Sequence, residues 1–209
     1  LYNLTAAGIG HIDIYDHDTV DLSNLNRQIL YQTQDIGKSK ALTSAHKLSL
    51  LNPEIAIDGY PVMIDRSNIE SLLSPYEIIV EGGDSPAGRN LINEFCLERN
   101  INFVHASAQF SYGYVFSVLP KRRTACFCCF FPTDYTREVS TGPVPVNTLS
   151  TSVAGALGAA EVMKYFLGYE ENMLFNQRLC FSSLLLSSDF ITENQPRRAD
   201  CPVCSKIYN

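Results

Sequence analysis

The chain has 209 residues and a formal charge of −6, from 16 Lys and Arg against 22 Asp and Glu, a size that suits one α/β domain with a full core. The acidic balance speaks against non-specific nucleic-acid binding, which needs a basic surface. No segment has the unbroken apolar length that a bilayer requires; Val153–Leu167 comes nearest but is short and carries Glu161 and Lys164.

In chain order, Leu4-Thr5-Ala6-Ala7-Gly8 reads as the last turn of a helix with Gly8 just past its end. His11–Asp16 alternates apolar and polar residues and stops at an acid, as a strand does. Lys38–Leu51 has Ala41, Leu42, Ala45, Leu48 and Leu51 at helical spacing and ends at Asn52-Pro53. A short strand is expected around Ile55–Ile57, running extended to Met63, then a short helix over Ser67–Leu73 with Ser67 as its N-cap. Glu77–Glu81 reads as a strand closed by Gly82-Gly83, Pro86–Asn100 as a helix with Pro in its first turn, and Phe103–Ala106 as another strand.

This alternation of strand and helix predicts a Rossmann-like α/β fold, mostly parallel, with crossover helices. The second half changes character. Ala108–Leu119, rich in aromatic and β-branched residues, predicts one long antiparallel strand. Val146–Gly168 predicts a helix whose Ala154, Gly155, Ala156, Gly158, Ala159 and Ala160 permit close packing, and Arg178–Phe190 predicts strand. The expected organisation is a single domain over 1–209, with 1–106 as an α/β half and 107–209 as an antiparallel half.

Two groups of residues carry chemistry. The first is the run from Asp16 to Gln28 (Asp-His-Asp-Thr-Val-Asp-Leu-Ser-Asn-Leu-Asn-Arg-Gln), followed by Gly37-Lys-Ser-Lys40. An acid ending a strand in a dinucleotide-type fold accepts hydrogen bonds from ribose hydroxyls. Asn24, Arg27 and Lys40 add an amide and two cations suited to a triphosphate. Each alone is an ordinary polar loop residue; their order and spacing single them out. Asp84, after the Glu77–Glu81 strand, is a candidate Mg²⁺ ligand and also a candidate N-cap for the helix at Pro86. Arg89 faces either a phosphate or solvent, with solvent preferred. The Gly8-Ile-Gly10 pair precedes a strand and opens no helix, so it cannot cradle phosphate. A strand and glycine-rich turn are therefore expected before Leu1.

The second group is cysteine. Of seven, four form two distant CxxC pairs, Cys126/Cys129 and Cys201/Cys204, and the others are Cys96, Cys128 and Cys180. Two such knuckles supply the four thiolates of a tetrahedral structural zinc site, whereas a redox motif uses a single CxxC opening a helix. An odd cysteine count and no basic n-region before Leu1-Tyr2-Asn3-Leu4 point to a reducing, cytoplasmic setting. The four histidines, His11, His17, His46 and His105, have neither metal nor triad spacing.

With these pieces in this order, the sequence resembles the ThiF/MoeB/HesA family, the adenylation domains of the ubiquitin-activating superfamily. The resemblance spans nearly the whole chain, including Asn52-Pro53 after the helix. It implies ATP and Mg²⁺, with the ribose-binding acid on Asp16, ATP contacts on Asn24, Arg27 and Lys40, Gln28 as a nucleotide neighbour, Mg²⁺ on Asp84, and Zn²⁺ on Cys126, Cys129, Cys201 and Cys204. It assigns catalysis to Arg27, Lys40 and Asp84. The family's first strand, glycine-rich loop and an arginine reaching across a dimer would precede Leu1. Conjugating members carry a reactive cysteine after the first zinc knuckle; Pro132–Asn147 contains none, and Ser140 and Thr141 cannot replace a thiolate. The segment from Pro145 into the Ala/Gly helix is similar to the MccB-like branch. The implied activity is adenylation of the C-terminal carboxylate of a ubiquitin-like or sulfur-carrier protein, or of a ribosomally made peptide, by a homodimer that acts without a catalytic cysteine. The alternative is a silent scaffold subunit of a heterodimeric activating enzyme, which the retained polar set disfavours. A nicotinamide- or flavin-binding protein would share the Rossmann-like pattern but needs a hydride-transfer partner that the sequence does not offer.

Overall fold

The computed structural model describes residues 1–132, 145–184 and 190–208. Ser140 and Thr141 lie outside the described residues. The first helix, α1 (Tyr2–Ala6), ends through Ala7 into Gly8 at φ +80°, a conformation that glycine adopts without a Cβ penalty. Strand β1 (His11–Tyr15) buries Ile12 and Ile14 on one face. It pairs in parallel with β2 (Ala56–Tyr60), Asp13 lying opposite Asp58. Between them runs α2 (Lys40–Leu51), capped by Ser39, which accepts the Leu42 N–H. The expected start at Lys38 is thus two residues early. Helix α2 lies directly on β2: a Cβ on Gly59 would sit 2.4 Å from the Ala41 carbonyl oxygen.

The second parallel unit has the same grammar. A single short helix, α3 (Ile69–Leu73), leads to β3 (Ile78–Glu81), α4 (Pro86–Arg99) and β4 (Asn102–Gln109), with Ile78 opposite Asn102. Ser67 is not the cap of α3. It donates its hydroxyl to Asp65, whose carboxylate also takes the Ser67 N–H, and the residue before the helix is Asn68. Nor is Asp84 the cap of α4; Ser85 fills that role by accepting the Gly88 N–H.

The sheet then turns antiparallel, in the order β3-β4-β5-β6-β7. The expected single strand Ala108–Leu119 is a hairpin instead. Strand β4 runs to Gln109, Phe110 turns at φ +55°, and β5 (Tyr112–Val118) returns with Gln109 opposite Tyr112. A run of strand-forming residues marks no turn when the corner is made by a residue other than Gly, Asn or Asp. The short helix α5 (Phe127–Phe130), with Cys126 as its N-cap, carries the first CxxC. Next come α6 (Thr148–Phe166), β6 (Gln177–Ser182), β7 (Ile191–Asn194) and α7 (Cys204–Ile207). Strand β6 ends at Ser182, short of the expected Phe190.

Two apolar clusters hold this together. One joins Ile12, Ile14, Ala41 and Leu48 to Val104, Ala159 and Val162, so α2 and α6 press on the strands. Gly158 is the point of closest approach, where a Cβ would lie 3.0 Å from that of Ala106. Ala154 and Ala159 are also buried, whereas Gly155, Ala156 and Ala160 face outward. Within α6, Glu161 is 1 % exposed and accepts from Ser117 Oγ at 2.7 Å, the Leu174 N–H at 2.6 Å and Lys164 Nζ at 2.5 Å, which satisfies its charge. The other cluster packs Phe103, Phe116, Phe127 and Phe130 around all four CxxC cysteines. Burying each phenylalanine contributes about 2–3 kcal/mol. No helix among the described residues is long and apolar enough to cross a membrane.

Candidate functional site

Asp16 follows the last residue of β1 and turns the chain outward; its Oδ1 accepts the Asp18 N–H at 2.9 Å. Three backbone hydrogen bonds then clamp this loop to the Gly37-Lys-Ser-Lys segment. Val20 N–H donates to Lys38 O, Gly37 N–H to Val20 O, and Lys40 N–H to Asp18 O, at 2.8 to 2.9 Å. The clamp brings Lys40 beside the acids, and its ammonium donates to Asp18 Oδ2 at 2.8 Å. That hydrogen bond holds the Asp18 carboxyl below the usual range. Asp18 was not among the residues expected from sequence; an acid two positions from another acid looks like an ordinary solvated pair.

Asn24, Arg27 and Gln28 share one turn, since the Arg27 and Gln28 N–H groups both donate to Asn24 O. Asn24 is 8 % exposed, and its Oδ1 accepts the Asp21 N–H in a reciprocal cap that sets the start of this turn. Arg27 donates from one nitrogen to Ser23 O at 2.8 Å and Asn26 Oδ1 at 3.0 Å. The turn docks on the start of α6, where Thr151 Oγ1 donates to Arg27 O and Asn26 Nδ2 to Val146 O. Gln28 Oε1 is buried without a hydrogen-bond partner among the described residues. A second anchor is Asp35, 3 % exposed, which pairs with Lys47 and Lys38. Its hydrogen bond with Lys47 pulls its carboxyl down to about 2 against the opposing effect of burial.

Asp84 stands apart from this group, exposed three residues beyond β3, with no side-chain hydrogen bond or ion pair among the described residues. Of the residues around it, Glu81 and His105 are not singled out by the sequence. Glu81, 6 % exposed, accepts the Gly83 N–H at 2.6 Å and sits 2.7 Å from His105 Nδ1. Burial pushes the fully enclosed His105 imidazole down despite the opposing pull of Glu81, so the ring is neutral near pH 7. Arg89, expected to face solvent or a phosphate, does neither as its main contact: it donates twice to Gly83 O. A buried His–Glu pair across neighbouring strands has no linear spacing signature, since the two residues are 24 positions apart.

The cysteines are brought together across 75 positions of sequence, with Cys126 Sγ 3.6 Å from Cys201 Sγ and Cys129 Sγ 3.6 Å from Cys204 Sγ. All four are buried, and their sulfurs lie within 4.8 Å of one another. Thiolates about 2.3 Å from a central ion in tetrahedral array are spaced about 3.8 Å apart, so this donor set could hold zinc. Cys128 is excluded from the group: its thiol donates to Asn90 Oδ1 at 3.2 Å. Burial pushes the Cys96 and Cys180 thiols up, away from the thiolate form.

Among curated proteins, the sulfur carrier protein adenylyltransferase of Thermus thermophilus is 32 % identical over 214 residues, covering 98 % of this chain and 76 % of that protein. The SAMP-activating enzyme E1 of Haloferax volcanii is 30 % identical over 212 residues, covering 97 % and 74 %. The adenylyltransferase and sulfurtransferase UBA4 of Candida albicans is 30 % identical over 217 residues, and the chain spans 48 % of its length. Among solved structures, E. coli MccB with ATP superposes with a TM-score of 0.82 at 25 % identity, over 97 % of this chain and 62 % of that one. The sequence pattern of the ThiF family matches residues 1–203, and this chain belongs to that family.

Proposed function

We propose that the chain adenylates a carboxylate at the expense of ATP. One carboxylate oxygen forms a bond to the α-phosphorus, the bond from that phosphorus to pyrophosphate breaks, and an acyl-adenylate and pyrophosphate result. One observation carries the reading: Asp16, Asn24, Arg27, Gln28, Lys40 and Asp84 all sit on the loops that leave β1 and β3 or on the opening of α2, at the strand ends where parallel sheets receive ligands. Asp16 would take the ribose hydroxyls, with Asn24 and Gln28 as neighbours. Arg27 and Lys40 would face the charge that develops on the phosphates. Asp84, an exposed oxygen donor without a hydrogen-bond or ion-pair partner among the described residues, fits Mg²⁺, which when bound neutralises phosphate charge. No general base is required, because a carboxylate is already ionised; the residues act by alignment and charge.

The names of the relatives support a substrate that is the C-terminus of a sulfur-carrier or ubiquitin-like protein, and the likeness to MccB keeps a ribosomally made peptide as the second class. We assign a structural Zn²⁺ to Cys126, Cys129, Cys201 and Cys204, a homodimer as the working assembly, and the cytoplasm as its location. The absence of a cysteine in Pro132–Asn147 supports a mechanism that stops at the adenylate. The test is exchange of labelled pyrophosphate into ATP, with a carrier protein ending in Gly-Gly or a precursor peptide as the acceptor. Exchange should require one of them and be abolished by Asp84→Ala, and Arg27→Ala should cost on the order of 10²–10³ in rate. Undiminished exchange in Asp84→Ala would overturn the assignment. A reducible thioester trapped on Cys96, Cys128 or Cys180 would overturn the adenylate-only mechanism.

A further inference from the structure

We propose that Glu81, His105 and Arg89 are positioning residues that fix the 82–84 loop so that Asp84 meets a divalent cation in one orientation. This rests on the assignment of Asp84 as the cation ligand. Among the described residues Asp84 makes no side-chain hydrogen bond or ion pair that could orient it, so its direction comes from the backbone before it. Both polar groups of the Gly83 backbone are held by side chains. Glu81 Oε1 accepts its N–H at 2.6 Å, and Arg89 donates to its carbonyl from Nε at 3.0 Å and from Nη2 at 2.6 Å. In an exposed strand-to-helix loop, water ordinarily serves these groups. Glycine at 83 lets the carboxylate fold back over the loop: a Cβ there would lie 2.9 Å from Glu81 Oε1.

His105 makes this arrangement rigid. It is the register partner of Glu81 on β4, and its Nδ1–H donates to Glu81 Oε2, because a carboxylate can only accept. The ring is fully buried among Phe103, Tyr114, Phe116, Phe127 and Phe131, at centroid distances of 5.1 to 6.4 Å. Its Nε2 has no hydrogen-bond partner among the described residues. Packing alone does not account for an imidazole here, since phenylalanine would fill an aromatic cage without stranding a polar atom. The bond to Glu81 does account for it. Arg89 Nε, 3.9 Å from Glu81 Oε2, adds a cation to the same carboxylate.

The experiment measures Mn²⁺ binding to the full chain in the presence of α,β-methylene-ATP, read as the loss of the free-Mn²⁺ resonance signal, with thermal unfolding recorded in parallel. His105→Phe and Arg89→Met should each weaken Mn²⁺ affinity about 10-fold or more, as removal of an outer-shell partner of a metal ligand does. His105→Asn, which keeps an N–H donor near Nδ1, should return most of that affinity, whereas a purely mechanical role would leave Asn no better than Phe. Native affinity in both His105→Phe and Arg89→Met, with Asp84→Asn impaired, overturns this inference and leaves the Asp84 assignment standing. Native affinity in Asp84→Asn overturns the assignment itself. Should His105→Phe fail to fold, Arg89→Met decides the matter, since its side chain lies at the edge of the core.

Discussion

Cys126, Cys129, Cys201 and Cys204 lie at 0–1 % exposure inside a wall of phenylalanines, whereas Asp16, Asp18, Arg27 and Asp84 stand on loops at the surface. The cysteines are placed by packing: Phe116 stacks on Phe130 with centroids 4.1 Å apart, and Phe127 sits between His105 and Phe131. Asp16 and Asp18 are placed by a loop clamped through its backbone, Asp18 also by its ion pair with Lys40, and Arg27 by hydrogen bonds to Ser23 O and Asn26 Oδ1. A group that is part of the core cannot be altered without altering the core. A group held on a clamped loop can change its charge while the fold stands. The contrast separates residues that maintain this protein from residues available for chemistry.

The sharpest way to break the comparison is to remove half the sulfur set. On the proposal that these sulfurs hold Zn²⁺, Cys201→Ser with Cys204→Ser should lower the unfolding free energy by more than about 5 kcal/mol, since loss of a metal site is among the few changes with so large an effect. An unchanged denaturant midpoint would mean that packing alone closes the cysteine pocket. Next in size, Phe116→Ala should cost about 3–4 kcal/mol through the cavity it leaves. A cost near zero in the same titration would show that the aromatic wall is not what assembles the cysteines.

Asp35 tests the charged side of the comparison through pH. Its folded-state value of about 2 lies below that of an unfolded aspartate near 4, so the unfolded chain takes up a proton first as pH falls. The stability that Asp35 contributes is therefore complete above about pH 4 and is lost as pH falls toward about 2. Thermal unfolding from pH 5 to 2 should show a steeper decline in the native chain than in Asp35→Asn; parallel curves would remove Asp35 as an anchor. The smallest effect is expected at Asp18, whose side chain is 53 % exposed. Asp18→Asn should change stability by less than about 1 kcal/mol, as exposed pairs do, and a loss beyond that would place the Lys40 pair among the structural contacts.

The sequence carried much of this, though unevenly. Both CxxC pairs were legible because a tetrathiolate site needs that local spacing, and the alternation of strand and helix up to Phe103 gave the parallel units. Gly8 marked the end of α1 correctly because a positive φ was required there. The hairpin at Phe110 was not legible, since a phenylalanine at φ +55° writes no turn signature. The pairings of Asp18 with Lys40 and Glu81 with His105 were hidden for a different reason: each depends on strand register or loop docking, which decide contacts between residues more than 20 positions apart. Asp84 as the cap of α4 was a local reading overtaken by its neighbour, Ser85, whose shorter side chain reaches the Gly88 N–H.

The clamp between residues 18–20 and 37–40 is made from main-chain groups alone, and this bears on how the region can be rewritten. Thr19 and Lys38 are exposed, and neither side chain contributes to the three hydrogen bonds that set the separation of Asp16 from Lys40. Substitution at these two positions would leave the three backbone bonds intact, although at Lys38 it would also remove one of the two cations paired with Asp35. A library randomised there could retune surface charge or introduce a labelling group within a few residues of Asp16 and Lys40. Insertions or deletions between 20 and 37 are a different matter: Asp21, Asn24, Asp35 and the docking onto α6 fix that stretch at several points. The loop should therefore be permissive in composition and strict in length.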